Sequence, residues 1–472
     1  MNNGINGDKE LNVGWLTLII INLAAFIISI DVSFLNVSIT TLVHDLNTTY
    51  TAIQSIIVVY ALVIASLTLV SGELQKVLGR KQAFLIGAII YGIGTLIAAL
   101  SINSYMLLLG WSILEGIGGA LMIVSTYSLI VGSYSGKRRA LGLGLLGTLA
   151  SGAMVVGPFI GGFFTTYYTW RYAFAMEFII IILILLFSKF IPSFPKTMKW
   201  SDIDIIGAIN SGLGMFLFVY GLILLNDPSI WYISLTFILI GIILLIIFLL
   251  NQKSKIKKNE HPLIDIRLFK IKSFLIGNII RFLYGFVISG IRFIIPVFVQ
   301  TVLGFTALTT GLIFVAMAIP MFLVTFTTGE ISERFQPKYV ISTGFLISIL
   351  GSIYLISVFS LHTSFIQIAI GIAFIGLGLG ILAPHASNLT FYNIRSDKQP
   401  DASAIRNTNS NLTNSIGTAV LGLILLIGNS NNLSAEKLVG DLIYAFYIII
   451  FLLFLGLIIS QFIKPYQKKR FN

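Results

Sequence analysis

The chain contains no cysteine in its 472 residues, which excludes disulfides, thiolate catalysis and cysteine-ligated metals. Charge is scarce as well: Asp, Glu, Lys and Arg make up 10% of the residues, against roughly 25% in a soluble domain. The four histidines are scattered and offer no interfacial constellation of the kind a membrane enzyme needs. No HExxH, Walker or nucleophile-elbow pattern occurs in a supporting context. No polar stretch is long enough to bury a core of its own, so no soluble catalytic domain is expected. The chain is instead apolar, with 57% hydrophobic residues.

Those residues fall into fourteen runs, at about 15–37, 52–72, 82–101, 105–133, 140–163, 170–192, 204–225, 231–251, 273–301, 309–328, 338–360, 364–386, 403–428 and 439–463. Crossing about 30 Å of hydrocarbon takes roughly 20 apolar residues. In lipid the backbone must satisfy itself within the segment, so each run is expected to be a helix. The first is too long for a signal-peptide core and no small-residue cleavage site follows it, so it is expected to be retained.

The net charge of +12 does not point to nucleic acid, because of where it lies. Basic residues concentrate in alternate loops: Lys76, Arg80 and Lys81; Lys137 to Arg139; Lys189, Lys196 and Lys199; Lys253 to Lys258; Arg334 and Lys338; Arg395 and Lys398; Lys464 to Arg470. Arg171 and Lys437 are the exceptions in the intervening loops. This is the positive-inside pattern, and it predicts cytoplasmic termini and an even number of spans.

An internal repeat organises the spans. Gly72-Glu73-Leu-Gln-Lys76 follows the second and Gly329-Glu330-Ile-Ser-Glu333 follows the tenth, each between cytoplasmic helix ends and each followed by basic residues. Two six-helix halves with an inserted pair is the simplest account, and parallel repeats of this kind belong to secondary transporters. The expected division is a tail at 1–14, a first bundle at 15–192, the inserted pair within 193–251, a linker at 252–272, a second bundle at 273–463 and a tail at 464–472.

Several motifs in order carry a family resemblance. Asp31-Val-Ser-Phe-Leu-Asn36-Val resembles D-x-T-x-x-N-V, and Gly72 to Lys81 resembles G-x-L-x-D-x-x-G-R-K, with Gly79, Arg80 and Lys81 kept. Gly152 with Gly157-Pro158-Phe-Ile-Gly161-Gly162, followed by Trp170-Arg171, resembles a fifth-span antiporter signature. The stretches His261 to Phe269 and Val299 to Gly304, and Asp401-Ala-Ser403-Ala404 before the thirteenth span, add to the match. Over nearly its whole length the chain resembles the major facilitator superfamily, specifically the fourteen-span drug:proton antiporter branch. The resemblance implies an all-α integral membrane fold of 6+2+6 helices in pseudo-twofold-related bundles. Two positions depart from the pattern: Gln75 replaces the loop aspartate, with Glu73 nearby, and R-x-x-Q-G reads Ser112-Ile-Leu-Glu115-Gly116. In the family that missing arginine is linked to proton handling.

Ionisable groups inside hydrocarbon cost at least about 2.5–3.5 kcal/mol and so need a reason. The candidates are Asp31, Glu115, Glu177, Arg281 and Arg292. Helical rise places Asp31 about 24 Å from the cytoplasmic start of its span, Glu115 about 15 Å and Glu177 about 10 Å from the outside, and Arg292 about 28 Å along span nine. Burial disfavours the charged form of a carboxylate, so an acid here can exchange a proton for a cationic substrate. Asp31 and Glu115 lead; Glu177 stands where the family prefers asparagine. Arg281 is expected to snorkel, and Asp31 and Arg292 to pair across a central cavity.

Gly72, Glu73, Gly79, Arg80, Lys81, Gly152, Gly157, Pro158, Gly161 and Gly162 form the conformational motifs: glycine permits close helix approach and proline kinks a helix. Tyr60, Trp111, Tyr127, Phe282 and Tyr284 are candidates for an aromatic cavity lining that holds planar cations, with lipid-facing packing as the plainer alternative. Glycines 376, 378 and 380 are read as packing, and His385 and Asn388 are given no role.

The expectation is a monomeric, cofactor-free secondary transporter of a prokaryotic cytoplasmic membrane. It exports a lipophilic, cationic small molecule against protons by alternating access, with the lipid bilayer its surroundings and no nucleic acid or metal involved. The alternatives are a metabolite symporter or facilitator, and then a polytopic membrane enzyme.

Overall fold

The computed structural model describes residues 14–463 except 135, 259, 261, 396–397 and 427–433. The expected tails, apart from residue 14, and His261 lie outside the described residues, as do the side chains of 325–334, Glu330 among them.

The described residues form helices and no strand. In chain order they are α1 Trp15–Phe34, α2 Ile39–Asp45, α3 Tyr50–Leu78, α4 Arg80–Ala99, α5 Ser104–Leu107, α6 Gly116–Ser133, α7 Gly136–Tyr167, α8 Arg171–Leu186, α9 Ile205–Leu224, α10 Trp231–Lys257, α11 Lys272–Thr301, α12 Ala307–Arg334, α13 Pro337–Val358, α14 Phe365–Phe391, α15 Gln399–Leu426 and α16 Ala435–Ser460. A π-helix, Leu108–Glu115, joins α5 to α6. Local chemistry sets several boundaries. The Thr49 side chain accepts from the Ala52 N–H and starts α3, Ser364 and Gln367 cap each other's backbone at α14, and Gly79 turns the chain between α3 and α4 at φ +96°, a region few other residues enter.

Polarity is inverted relative to a soluble protein. Asp31, Glu115 and Glu177 are fully buried, while Leu235, Leu239, Ile243, Ile247 and Leu250 of α10 are exposed. This is a multi-pass membrane protein. Among the described residues, eleven helical stretches are long and apolar enough to cross a bilayer. The remaining three of the fourteen expected spans correspond to α7, α8 and α15. α7 is 32 residues long, and Val155–Tyr167 is an apolar stretch among its described residues; α8 has 16 residues. The first half of α15 is rich in Asn, Ser and Thr because it packs on α3 and α11 rather than on lipid.

Within the first six expected spans α1 packs on α7, α6 and α8, and α4 on α6 and α8; in the last six, α14 packs on α12 and α13, and α11 on α15. The pair α9 and α10 pack on each other, and α9 reaches both α3 and α15. Its Met215, Val219 and Ile223 share an apolar cluster with Val58 and Leu62 of α3 and Ala419 of α15.

Among the described residues, the hydrogen bonds between the two sets of helices gather toward the outer side. Gln300 Nε2 donates to the Val37 carbonyl (2.7 Å), and the Leu308 N–H to Thr166 Oγ1 (3.0 Å). Tyr50 Oη meets Thr301 Oγ1 (3.1 Å). Gln54 Nε2 donates to the Thr418 and Ala419 carbonyls (2.9 and 3.1 Å). These bonds tie the two sets of helices together at that end.

Candidate functional site

The first helix does not end where its apolar run ends. After α1, residues 35–38 tighten into a 3-10 turn and α2 continues to Asp45, so the span covers Trp15–Asp45. Its polar end is held by Asp45, which accepts from Trp170 Nε1 (2.9 Å) and pairs with Arg171 (2.8 Å). Asp31, expected in the outer half, therefore stands at the middle of this longer span.

Asp31 meets Glu115 and Glu177 there. One carboxylate oxygen from each of the three lies within 4.8 Å of the others, and all three residues have zero exposure. Different elements deliver them. Glu115 closes the π-helix, whose extra residue per turn re-aims side chains and recurs at functional sites. The close packing of Gly94 and Gly110 brings α4 against this turn; a Cβ on Gly94 would lie 2.7 Å from the Glu115 nitrogen. Ser112, in the place of the family's arginine, spends its hydroxyl on the Ile56 carbonyl (2.7 Å).

Few donors reach the triad. Trp111 Nε1 donates to Asp31 Oδ1 (2.6 Å), and the Trp111 ring stacks on Tyr60 at 4.7 Å. Tyr91 Oη donates to Glu177 Oε2 (3.2 Å). Asp31 Oδ2, Glu177 Oε1 and both oxygens of Glu115 are buried without a hydrogen-bond partner. Among the described residues no cation pairs with any of them. Three carboxylates this close in a dry site cannot all be ionised, so the cluster must hold protons or a cation. Tyr60 and Trp111 are thus part of the site rather than lipid-facing.

The expected pair between Asp31 and Arg292 is not formed. Asp31 is turned toward the acids of its own helical set, while Arg292 lines a separate small cavity with Ser33, Asn36, Pro158 and Phe314. Arg281 does not snorkel: Nη1 donates to Ser387 Oγ and Nη2 to Ser410 Oγ, both at 3.0 Å, and its guanidinium lies 5.9 Å from the Tyr284 ring centroid. Tyr127 is 45% exposed. Phe282, on α11 itself, is partly buried against the core. Tyr91 and Arg406 belong to these surroundings and were not anticipated. Tyr91 carries no signal in an apolar run, and Arg406 falls within a few residues of an expected span boundary.

The glycine signature lies between helices. A Cβ on Gly161 would meet Phe34 of α1 at 2.8 Å, and one on Gly162 would meet the Ala307 carbonyl at 2.6 Å and Leu308 Cα at 2.8 Å. Gly157 stands against Ser33, and Gly311 of α12 abuts the Pro158 carbonyl. Gly152 and Gly72 have open space beside them.

At the cytoplasmic loop, Glu73 Oε2 accepts from the Asp204 N–H (3.2 Å). Arg80 donates to the Ser128 carbonyl (3.0 Å) and lies over Phe194, and Ser128 in turn donates to Gln75. Lys81 is half-buried. Asp204 caps α9 through the Gly207 N–H (2.8 Å) and holds Gln252 (2.8 Å) and Lys255 (3.0 Å). Burial pushes its carboxyl up, but the donors from Gln252, Gly207 and Lys255 outweigh this and hold it below the usual carboxylate range. Asp265 lies lower still, well below that range, because Arg267 (2.9 Å) and Lys398 (3.0 Å) oppose its burial.

The chain also resembles known proteins. The model of the Major Facilitator Superfamily matches residues 21–252, 203–418 and 277–472. The lincomycin resistance protein LmrB of Bacillus subtilis is 26% identical over 89% of this chain and 87% of its own length. The multidrug efflux pump LfrA of Mycolicibacterium smegmatis is 25% identical over 87% of this chain and 80% of its own. The riboflavin transporter RibZ of Clostridioides difficile is 26% identical over 86% and 87%. Among solved structures, a peptide transporter POT in complex with sulfate superposes with a TM-score of 0.69 at 15% identity, covering 94% of each chain.

Proposed function

Since the chain belongs to the Major Facilitator Superfamily, we propose that it is a proton-coupled exporter of lipophilic, cationic compounds in a prokaryotic cytoplasmic membrane, working as a monomer by alternating access. Two six-helix bundles, α1–α8 and α11–α16, rock about a central cavity, with α9 and α10 as the inserted pair. The observation that carries the reading is the buried triad of Asp31, Glu115 and Glu177 with four carboxylate oxygens unpartnered. Protons entering from outside neutralise the acids; a cation arriving from the cytoplasm supplies the opposite charge and lets a proton leave. A ligand that favours one state of the triad biases the whole equilibrium by its differential affinity. No covalent chemistry is asked of the chain. The names of LmrB and LfrA support the drug-export direction, and the glycine signature of α7 supports it from the sequence.

Inverted membrane vesicles energised with an imposed pH gradient test this by uptake of a cationic dye. Wild type should accumulate dye in proportion to the gradient. Asp31→Asn and Glu115→Gln should each lose gradient-driven uptake by at least about tenfold, the effect of roughly 1.4 kcal/mol on a transport barrier, while still inserting in the membrane. Wild-type uptake that ignores the gradient would sink the reading.

A further inference from the structure

The acids have a counterpart on the other side of the molecule. Arg281 of α11 and Arg406 of α15 converge on one hydroxyl, Ser387 Oγ, at 3.0 and 3.5 Å. Ser410 takes a second Arg281 nitrogen (3.0 Å) and the Asn407 side chain takes Arg406 Nη2 (3.2 Å). Tyr284 and Phe391 flank them, with guanidinium carbons 5.9 and 5.5 Å from the ring centroids. Both Nε atoms are buried without a partner. Among the described residues no carboxylate pairs with either arginine. The ionisable groups facing them are each other and the phenols Tyr284 and Tyr127, the last contributed by α6 across the divide.

Two guanidiniums sharing one neutral oxygen form an unfinished arrangement. A buried charge without its opposite is costly, and two like charges side by side add to that cost. Planar forks with free N–H groups match the two oxygens of a carboxylate or phosphate. Counting along the helices, Arg281 lies about 14 Å and Arg406 about 10 Å from their cytoplasmic ends. The hydrogen bonds tying the two helical sets together lie toward the opposite ends of these helices, so the arginines stand on the cytoplasmic approach between the sets.

We propose that Arg281 and Arg406, with Ser387 and Ser410, bind an oxyanion carried by the exported compound, so that the substrate is a lipophilic zwitterion with its cationic part turned to the acid triad. The inference deepens the reading above and depends on it only in placing the arginines on the transport path. A lipid headgroup carries the same oxyanion chemistry, and the test separates the two sources.

The full-length protein in neutral detergent is titrated with rhodamine B, which carries a carboxylate beside its cationic ring system, and with its ethyl ester, which keeps only the cation. Fluorescence anisotropy should show the acid binding at least about tenfold tighter than the ester, the scale of one charge-assisted contact. Arg281→Gln and Arg406→Gln should each erase that ratio while leaving ester affinity within about twofold. Lysine variants at the same positions keep the charge but lose the fork, and should retain part of the ratio. Equal wild-type affinity for acid and ester overturns the proposal without any variant, and so does parallel weakening of both dyes. Displacement of dye by phosphatidylglycerol but not phosphatidylcholine, with no preference for the acid, would assign the arginines to lipid and overturn it too. Binding in detergent involves no gradient, so failure here is distinct from failure of proton coupling in vesicles.

Discussion

Asp265, in the linker, is a buried acid of another kind from the triad, because cations pair with it. Arg267 and Lys398 hold its carboxyl well below the ordinary range, so its charged form is worth more in the folded chain than in the unfolded one. The sign follows: its contribution to stability is complete above the unfolded value of about 3.9 and is lost as pH falls below it toward the folded value. Asp265→Asn should therefore lower the thermal unfolding midpoint at neutral pH, and the gap from wild type should close below about pH 4. A gap that does not change with pH would mean that the side chain acts through packing. The sequence made such residues only partly legible. Asp31, Glu115 and Glu177 stood out because charge in an apolar run is conspicuous. Tyr91, which donates to Glu177, did not, because a tyrosine in such a run has many uses. The partner of Asp31 was misread because similar depth on equivalent helices does not say which way a side chain faces.

At the scale of the element, apolar runs located the helices but misjudged two kinds of end. The first helix runs on past Asn36 and Ser38 to Asp45, because these two polar residues are buried against other helices, so hydropathy gave no reason to continue. The π-helix at Leu108–Glu115 had no sequence signal, since its extra residue per turn is a response to packing. The glycine signature was legible and its partners were not: α7 lies between α1 and α12, with Gly161 on one side and Gly162 on the other. Gly162→Leu should therefore strain the outer seam between the two helical sets, costing about 1–3 kcal/mol as overpacked sites do. Gly152→Leu, at a position with open space beside it, should be close to neutral. Comparing the two unfolding midpoints in detergent checks the contrast.

For the whole molecule, the absence of cysteine becomes an experimental convenience, because any introduced pair is the only thiol pair present. Tyr50→Cys with Thr301→Cys, at a hydrogen-bonded contact across the outer seam, should be bridged readily by a short bis-maleimide in the resting protein, since loss of the phenol ring leaves the two thiols too far apart for a disulfide. An inward pH gradient with saturating dye, which keeps the transporter cycling, should reduce the yield, and Gly162→Leu should reduce it even at rest. Full cross-linking under all conditions would show that the outer seam does not open. The repeated Gly-Glu loops suggested two halves with an inserted pair, whereas nothing in that pair's sequence said where it would lie. In the structure α9 rests on both α3 and α15, tied through Asn226 to Gln54 (3.1 Å) and through Asp204 to Glu73 (3.2 Å). The opposite seam, α7 against α12, shows Val156, Phe159, Phe163, Leu312, Ile319 and Leu323 to its surroundings. The two halves are thus bound like a book, with α9 and α10 along the spine and the α7–α12 seam as the free edge. Lateral pressure and acyl-chain length in the bilayer can press directly on the free edge, while at the spine they meet the inserted pair first.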